Sequence, residues 1–207
     1  MRARICYNLC GRDSSDRIIY SIQVDMLYIM RHGKTDWNLM HKLQGRTDIP
    51  LNDMGRQMAR EACELYKDVH FDICYCSPLV RARETADLVL AGRDIPIVYD
   101  DRLVELGFGI YEGEEEVFEK YDCPARELFF NPAGYVAEGG AESLDELFGR
   151  TGEFLEEIAF PVVEAGRDVL IMGHGAMNSA IICRVRNVPR EDFWAEDIAN
   201  CRLIKLM

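Results

Sequence analysis

Several things are scarce in this chain, and each scarcity removes a class of protein. Basic residues are in deficit: 24 Lys and Arg stand against 36 Asp and Glu, for a formal net charge of -12. Nucleic-acid backbones need cationic surfaces that release counterions, so no nucleic-acid partner is expected. No apolar run approaches the roughly 20 residues of a membrane span, so no membrane association is expected either. Near the start there is no continuous apolar stretch or small-residue cleavage site of a secretory signal. Close-paired cysteines are missing too. The eight cysteines (Cys6, Cys10, Cys63, Cys74, Cys76, Cys123, Cys183 and Cys201) are scattered, which reads as reduced, mostly buried thiols in a cytoplasmic protein rather than a disulfide scaffold. Cys6-x3-Cys10 has a metal-like spacing but no second pair to complete a site. Internal repeats and low-complexity tracts are absent. What remains is a 207-residue chain, 48% hydrophobic and 29% charged, the size and make-up of one globular domain with a substantial core.

Histidine is also scarce, with four in the chain, and two of them recur in one context. Leu27-Tyr28-Ile29-Met30 is an apolar run that ends in Arg31-His32-Gly33, and Val169-Leu170-Ile171-Met172 ends in Gly173-His174-Gly175. A short apolar run closed by glycine reads as a buried strand, and the residues past a strand's carboxyl end are where open α/β sheets build their sites. Either histidine alone could be a core-edge residue; two of them at matching strand ends point to a shared site.

Residues 1–25 look unlike the rest, with Arg2, Arg4, Arg12 and Arg17 against Asp13, Asp16 and Asp25. They read as an extension or flexible tail upstream of a single domain at 26–207; the alternative is an added edge strand over 17–24. Polar, turn-rich residues 38–50 form a loop. Asn52 offers an N-cap to a helix with Met54, Met58, Ala62, Leu65 and Tyr66 on its inward face. Phe71 to Cys76 is a second strand. Ser77-Pro78 then reads as N-cap and first helical position of a helix with Leu79, Ala82, Ala86 and Val89 inward, and its amino end, carrying Arg81 and Arg83, reads as an anion site. Ile95 to Tyr99 is a third strand, and 103–107 a strand end or loop. Residues 112–121 are expected to be helical and 122–140 irregular, together a lid insertion over about 112–141. Glu142-Ser143 starts a helix with Leu144, Leu147, Phe148, Thr151, Phe154, Leu155 and Ile158 inward, which Pro161 should end or kink. After the second histidine strand come a helix over 176–186 and a closing strand over 200–206. Strands alternating with helices predict an α/β sandwich with a mainly parallel sheet.

Four spaced motifs now carry a resemblance. Arg31-His32-Gly33-x4-Asn38, Ser77-Pro78-Leu79-x-Arg81-Ala82-x2-Thr85-Ala86, Leu103-x-Glu105-x3-Gly109-x2-Glu112-Gly113 and Gly173-His174-Gly175 resemble, in order, those of the histidine phosphatase superfamily, in its phosphoglycerate-mutase-like branch. The resemblance covers 26–207 and implies a three-layer αβα sandwich with a mainly parallel mixed sheet. It implies that His32 is a nucleophile forming a phosphohistidine and that Arg31 and Arg81 hold the phosphoryl oxygens and disfavour protonation of His32. His174 would donate to the same oxygens, Asn38 and Gln44 would bind phosphate, and Glu105 would be general acid and then base. Singly, Arg81 reads as a solvated charge, Asn38 as a helix cap and Gln44 as a loop residue; together they form a set. His41, His70 and Arg83 match no catalytic position.

The expected activity is metal-independent hydrolysis of small phosphorylated metabolites, with no cofactor and no metal ligands. Alternatives are a phosphoglycerate mutase, a non-catalytic phosphate-binding module, and a metallophosphatase, which would need carboxylate ligands beside the two histidines. Hydrolysis is preferred to mutase chemistry because the mutases resembled here follow the motif glutamate with Arg-His-Tyr-Gly and an arginine-rich insertion. Here Leu106-Gly107-Phe108-Gly109 follows Glu105, and 112–141 is acidic, which disfavours a phosphocarboxylate. Ala176-Met177 after the second histidine, and the alanine in Glu138-Gly139-Gly140-Ala141-Glu142-Ser143, depart from the family pattern where leaving groups would be contacted. Substrate identity and oligomeric state are not legible; a homodimer is compatible with the chain.

Overall fold

The computed structural model describes residues 26–207, together with the backbone of two short strands, β1 (Arg4–Cys6) and β2 (Ser21–Gln23). These pair antiparallel with each other in a separate two-stranded ribbon, so β2 does not add an edge to the main sheet. The reading of 1–25 as a flexible tail otherwise falls outside the described residues.

The main sheet has five strands, β3 (Leu27–Arg31), β4 (Ile73–Cys76), β5 (Ile97–Tyr99), β6 (Val169–Gly173) and β7 (Leu203–Lys205), in the order β5-β4-β6-β3-β7. All pairs are parallel except β3 with β7. Alternation along the strands sends Leu27, Ile29, Tyr75, Val169 and Ile171 to one core, and Met30, Cys74, Cys76, Leu170 and Met172 to the other. Each such aliphatic side chain, once fully buried, contributes roughly 1.5–3 kcal/mol. The first core is closed by α5 (Leu144–Phe154) and α7 (Gly175–Arg186), and the second by α2 (Asp53–Leu65) and α3 (Val80–Val89). The result is the expected three-layer αβα sandwich. Cys74, Cys76, Cys183 and Cys201 are free, buried thiols within it.

Four expectations need correction. Asn52 does cap α2, accepting from the Gly55 N–H at 2.8 Å, and Met58, Ala62 and Tyr66 meet the core as expected, but the fully buried face is Gly55, Ala59 and Ala62, while Met54 and Leu65 face solvent. The small face wins because this helix approaches the β3 exit backbone to backbone: a Cβ on Gly33 would lie 2.6 Å from the Gly55 carbonyl oxygen, and one on Gly55 2.0 Å from that of Lys34. Second, α3 begins at Val80 and not at Pro78, its N-cap being Leu79. Third, 112–121 contains one 3-10 turn, Val117–Glu119, not an α-helix; the five glutamates at 112, 114, 115, 116 and 119 repel one another there, and Lys42 draws Glu115 into an isolated antiparallel bridge. The irregular reading of 122–140 holds around α4 (Glu127–Phe130) and two 3-10 turns. Fourth, of the two effects expected of Pro161, it does not end the helical run, though the helix turns irregular just before it. A π-turn over Leu155–Ala159 carries α5 into α6 (Phe160–Glu164), with Pro161 in the first turn of α6, where no N–H is required.

Candidate active site

The register of β3 against β6 builds the site. Arg31 pairs with Gly173, and the His32 N–H donates to the Gly173 carbonyl at 2.9 Å, so the two chains leave the sheet side by side with His32 and His174 next in line. Their ring centroids lie 5.1 Å apart. Both rings are buried. The turn after β3 is pinned by Thr85 of α3, whose hydroxyl accepts the Gly33 N–H, and by Asn200, whose amide donates to the His32 carbonyl.

Hydrogen bonding fixes both tautomers. His32 Nδ1 lies 2.6 Å from the Gly33 carbonyl, which only accepts, so Nδ1 carries the proton and Nε2 keeps an in-plane lone pair. His174 Nδ1 faces Arg81 Nε at 3.2 Å, and a guanidinium only donates, so the His174 proton is on Nε2 and goes to Ser77 Oγ at 2.7 Å. Both imidazoles are held well below the usual histidine pKa. Burial is the largest cause for each, followed by the Arg81 charge; Arg31 adds to both, His32 adds to the lowering of His174, and the hydrogen bond to Gly33 partly opposes the lowering of His32.

Of the two arginines, Arg81 is fully buried and Arg31 half-buried. Arg81 donates from Nη1 to the Thr47 carbonyl and from Nη2 to that of Gly45; burial lowers its pKa to about 10, so it stays charged at neutral pH. Arg31 donates to the Ile198 carbonyl, and its Nε, buried, has no protein partner among the described residues. Gln44 Oε1 is likewise buried and unpartnered. The Asn38 Oδ1 accepts from the Thr35 N–H and hydroxyl in a capping box on the single-turn helix α1 (Asp36–Leu39). Its side-chain role in the structure is thus that of a cap.

Glu105 is placed by α7. Its Oε2 accepts the N–H groups of Gly175 and Ala176 at 2.8 and 3.3 Å, and its Oε1 accepts those of Met177 and Leu106 at 3.0 and 2.9 Å. His174, the N-cap residue of that helix, makes no side-chain cap, and the glutamate satisfies the orphan donors instead. The anion site expected at the amino end of α3 is occupied in the same way: the Val80 N–H donates to Asp48 Oδ1 at 2.7 Å. Arg83 stands over the Tyr99 ring, away from the cluster. His41 and His70 are exposed. Among the described residues the one group spaced to hold a metal is His70, Asp72 and Asp168; it contains neither His32 nor His174.

Sequence reasoning missed the residues that hold this cluster. Ser77 was read as a helix cap and instead receives the His174 proton. Glu112 ties the loop that anchors Arg81 to the segment after Glu105: it accepts from the N–H groups of Arg46, Thr47 and Phe108. Buried Glu142 pairs with Arg150 Nε at 2.7 Å and Arg46 Nη2 at 3.1 Å, while Arg150 donates onward to the carbonyls of Arg102 and Glu105. The glutamates of the four motifs were visible in sequence, but nothing local announces Arg150.

A mixed five-stranded sheet covered by helices on both faces, with its polar cluster at the carboxyl ends of β3 and β6, is a phosphoglycerate-mutase-like α/β sandwich. The chain belongs to the histidine phosphatase superfamily, branch 1, whose family model matches residues 27–207. It is 37% identical over 161 residues, covering 76% of this chain and 75% of the relative, to a Bacillus subtilis protein named uncharacterized phosphatase PhoE. It is 33% identical over 180 residues, 84% of either chain, to a 2,3-bisphosphoglycerate-dependent phosphoglycerate mutase of Cytophaga hutchinsonii. Among solved structures, Bacillus stearothermophilus YhfR superposes with a TM-score of 0.78 at 30% identity, covering 87% of this chain and 89% of that one.

Proposed function

We propose that the protein is a metal-independent phosphomonoesterase acting on small phosphorylated metabolites through a phosphohistidine at His32. The observation that carries this reading is the His32–Gly33 hydrogen bond. It leaves a neutral, buried imidazole with its Nε2 lone pair unspent, flanked by the charges of Arg31 and Arg81. A dianionic phosphate monoester needs that combination of neutral nucleophile and surrounding cations.

In this mechanism Arg31, Arg81 and Gln44 bind the phosphoryl oxygens, with the Asn38 amide N–H2 directed to the same group. Nε2 of His32 attacks phosphorus as the bond to the leaving oxygen breaks, and Glu105 supplies the proton that oxygen needs. Glu105 then takes a proton from water, whose oxygen attacks phosphorus; the P–N bond breaks and phosphate leaves. His174 stabilises the transferring group, its ring held by Arg81 and Ser77. All four acceptor positions of Glu105 hold N–H groups, so taking up a proton requires release of at least one of them. Metal independence is favoured because both His174 nitrogens are spoken for by Arg81 and Ser77, and full activity after exhaustive chelation checks it.

The reading is tested by rapid quenching with a ³²P-labelled substrate. An acid-labile, base-stable phosphoprotein is expected, absent in His32→Ala; a stable label in that variant would sink the nucleophile assignment.

The mutase-named relative favours a second reading, in which the phosphoryl group returns to another hydroxyl. A mutase needs cations for the substrate carboxylate. In the segment over 112–141 both cations are engaged: Lys120 pairs with Glu114, while Arg126 stacks on Tyr121 and Phe130 and donates to the Phe118 carbonyl. Phosphate release exceeding phosphoglycerate interconversion, measured with 2,3-bisphosphoglycerate as primer, is the expected outcome; the opposite ratio overturns it.

A further inference from the structure

The surface opens into a cavity of about 440 Å³, walled by Arg46, Gly107, Glu112, Ala141, Glu142 and Glu146 among others. Two of its walls continue along the chain into the site. Arg46 follows Gly45, whose carbonyl holds Arg81, and Gly107 lies two residues beyond Glu105. The Arg46 guanidinium lies against Gly107, where a Cβ would come within 3.4 Å of Nε.

Its hydrogen-bonding inventory is uneven. Glu112 is saturated, Oε1 by the N–H groups of Arg46 and Phe108 and Oε2 by the N–H and hydroxyl of Thr47. Glu142 is saturated as well, Oε1 by Arg150 and Arg46 and Oε2 by Arg150 and the Gly107 N–H. Glu146 spends only Oε2, on the Ser143 N–H and hydroxyl, which with the Arg46 charge lower its pKa. Its Oε1 has no protein partner among the described residues. Arg46 spends one side-chain N–H, on Glu142, and keeps its Nε and Nη1 donors unpartnered. The cavity therefore presents an open guanidinium and an open carboxylate oxygen, and its walls carry no aromatic ring.

A leaving group with a carboxylate would satisfy Arg46 but stand against three glutamates. One with an ammonium would satisfy Glu146 but stand against Arg46. Adjacent hydroxyls do both, accepting from the guanidinium and donating to the carboxylate. With no ring on which a base could stack, a nucleoside gains little. Resting on the phosphatase reading above, we infer that this cavity is a leaving-group subsite for a neutral polyhydroxylated alcohol, so that the preferred substrates are sugar or polyol phosphates, selected by Arg46 and Glu146.

The test begins with binding, so that it does not depend on turnover. Calorimetry on the His32→Ala protein compares glucose 6-phosphate, phosphoglycolate, phosphoethanolamine and inorganic phosphate. Glucose 6-phosphate should bind at least tenfold tighter than the other three, and that margin should disappear on adding Arg46→Gln or Glu146→Gln. Glutamine at 146 retains the capping box, so this variant keeps α5 capped while removing the charge. Ala141→Leu, which narrows the cavity without touching a charge, should shrink the same margin. In the enzyme with His32 intact, kcat/KM for glucose 6-phosphate relative to 4-nitrophenyl phosphate should fall roughly tenfold in each variant, the scale of a lost hydrogen bond. Equal binding of the four probes, a preference for phosphoglycolate or phosphoethanolamine, or a margin indifferent to all three substitutions overturns the inference. Selective binding with no hydrolysis of any ester supports the subsite and overturns the phosphatase reading instead.

Discussion

His32 and His174 are proton-poor because they are buried, and the arginines reinforce what burial begins. That ordering has a consequence for pH. Below about 6.5 the unfolded chain takes up protons on these two histidines that the folded chain declines, so ν_U exceeds ν_N and stability falls with falling pH, by at most about 1.4 kcal/mol per pH unit for each ring. On the proposed mechanism the nucleophile, His32, stays neutral through the same window. Urea titrations should therefore show stability dropping from pH 7 to 5.5 while kcat at saturating aryl phosphate holds; an inflection in kcat near 6.5 would contradict the depressed nucleophile. Glu105→Gln tests another residue. It should slow hydrolysis of alkyl phosphates by a factor on the order of 10²–10⁴ and nitrophenyl phosphate far less, since a good leaving group needs no proton. It should also lower the melting temperature, because the new amide points two of its own hydrogens at the N–H groups that open α7. An equal slowing of both ester types would remove Glu105 from the acid role.

At the scale of elements, helix ends explain why parts of the site were hidden in the sequence. Asp48 caps α3 from 32 positions upstream, Glu105 caps α7 from 70 positions upstream, and His174 meets Ser77 across 97. Local patterns do not report such pairings. His32 and His174, by contrast, were legible because each ends an apolar strand beside glycine, and the helix start at Ser143 was legible too, where the structure shows a capping box with Glu146. The face of α2 was legible at Met58, Ala62 and Tyr66, which pack on the second core, but not at Met54 and Leu65, whose bulk faces solvent, nor at Gly55 and Ala59, whose small size brings the helix close. Arg150 couples α5 to the Glu105 segment through the buried Glu142. Arg150→Met should destabilise by about 3 kcal/mol in urea unfolding, because Glu142 is left buried with its charge half answered. Adding Glu142→Leu should recover much of that loss; no recovery would mean that packing, not charge, is what Arg150 supplies.

For the whole molecule, among the described residues the edges of the main sheet are β5 and β7, and the β1–β2 ribbon pairs with neither. A protein starting at Met26 should keep its melting temperature and its activity on nitrophenyl phosphate; a fall of several degrees would assign the ribbon a structural part in the domain. The contact between Gly33 and Gly55 reaches further than local packing. Where most helices meet their neighbours through side chains that can switch rotamer and absorb a shift, here backbone rests on backbone. A displacement of α2 has no cushion to be lost in and passes directly to the turn that aims His32. Amide exchange should register this as a single opening event: the N–H of Gly33, held by Thr85, and that of Gly55, held by Asn52, should exchange at one common free energy, and a ligand seated on His32 should slow the two by the same factor.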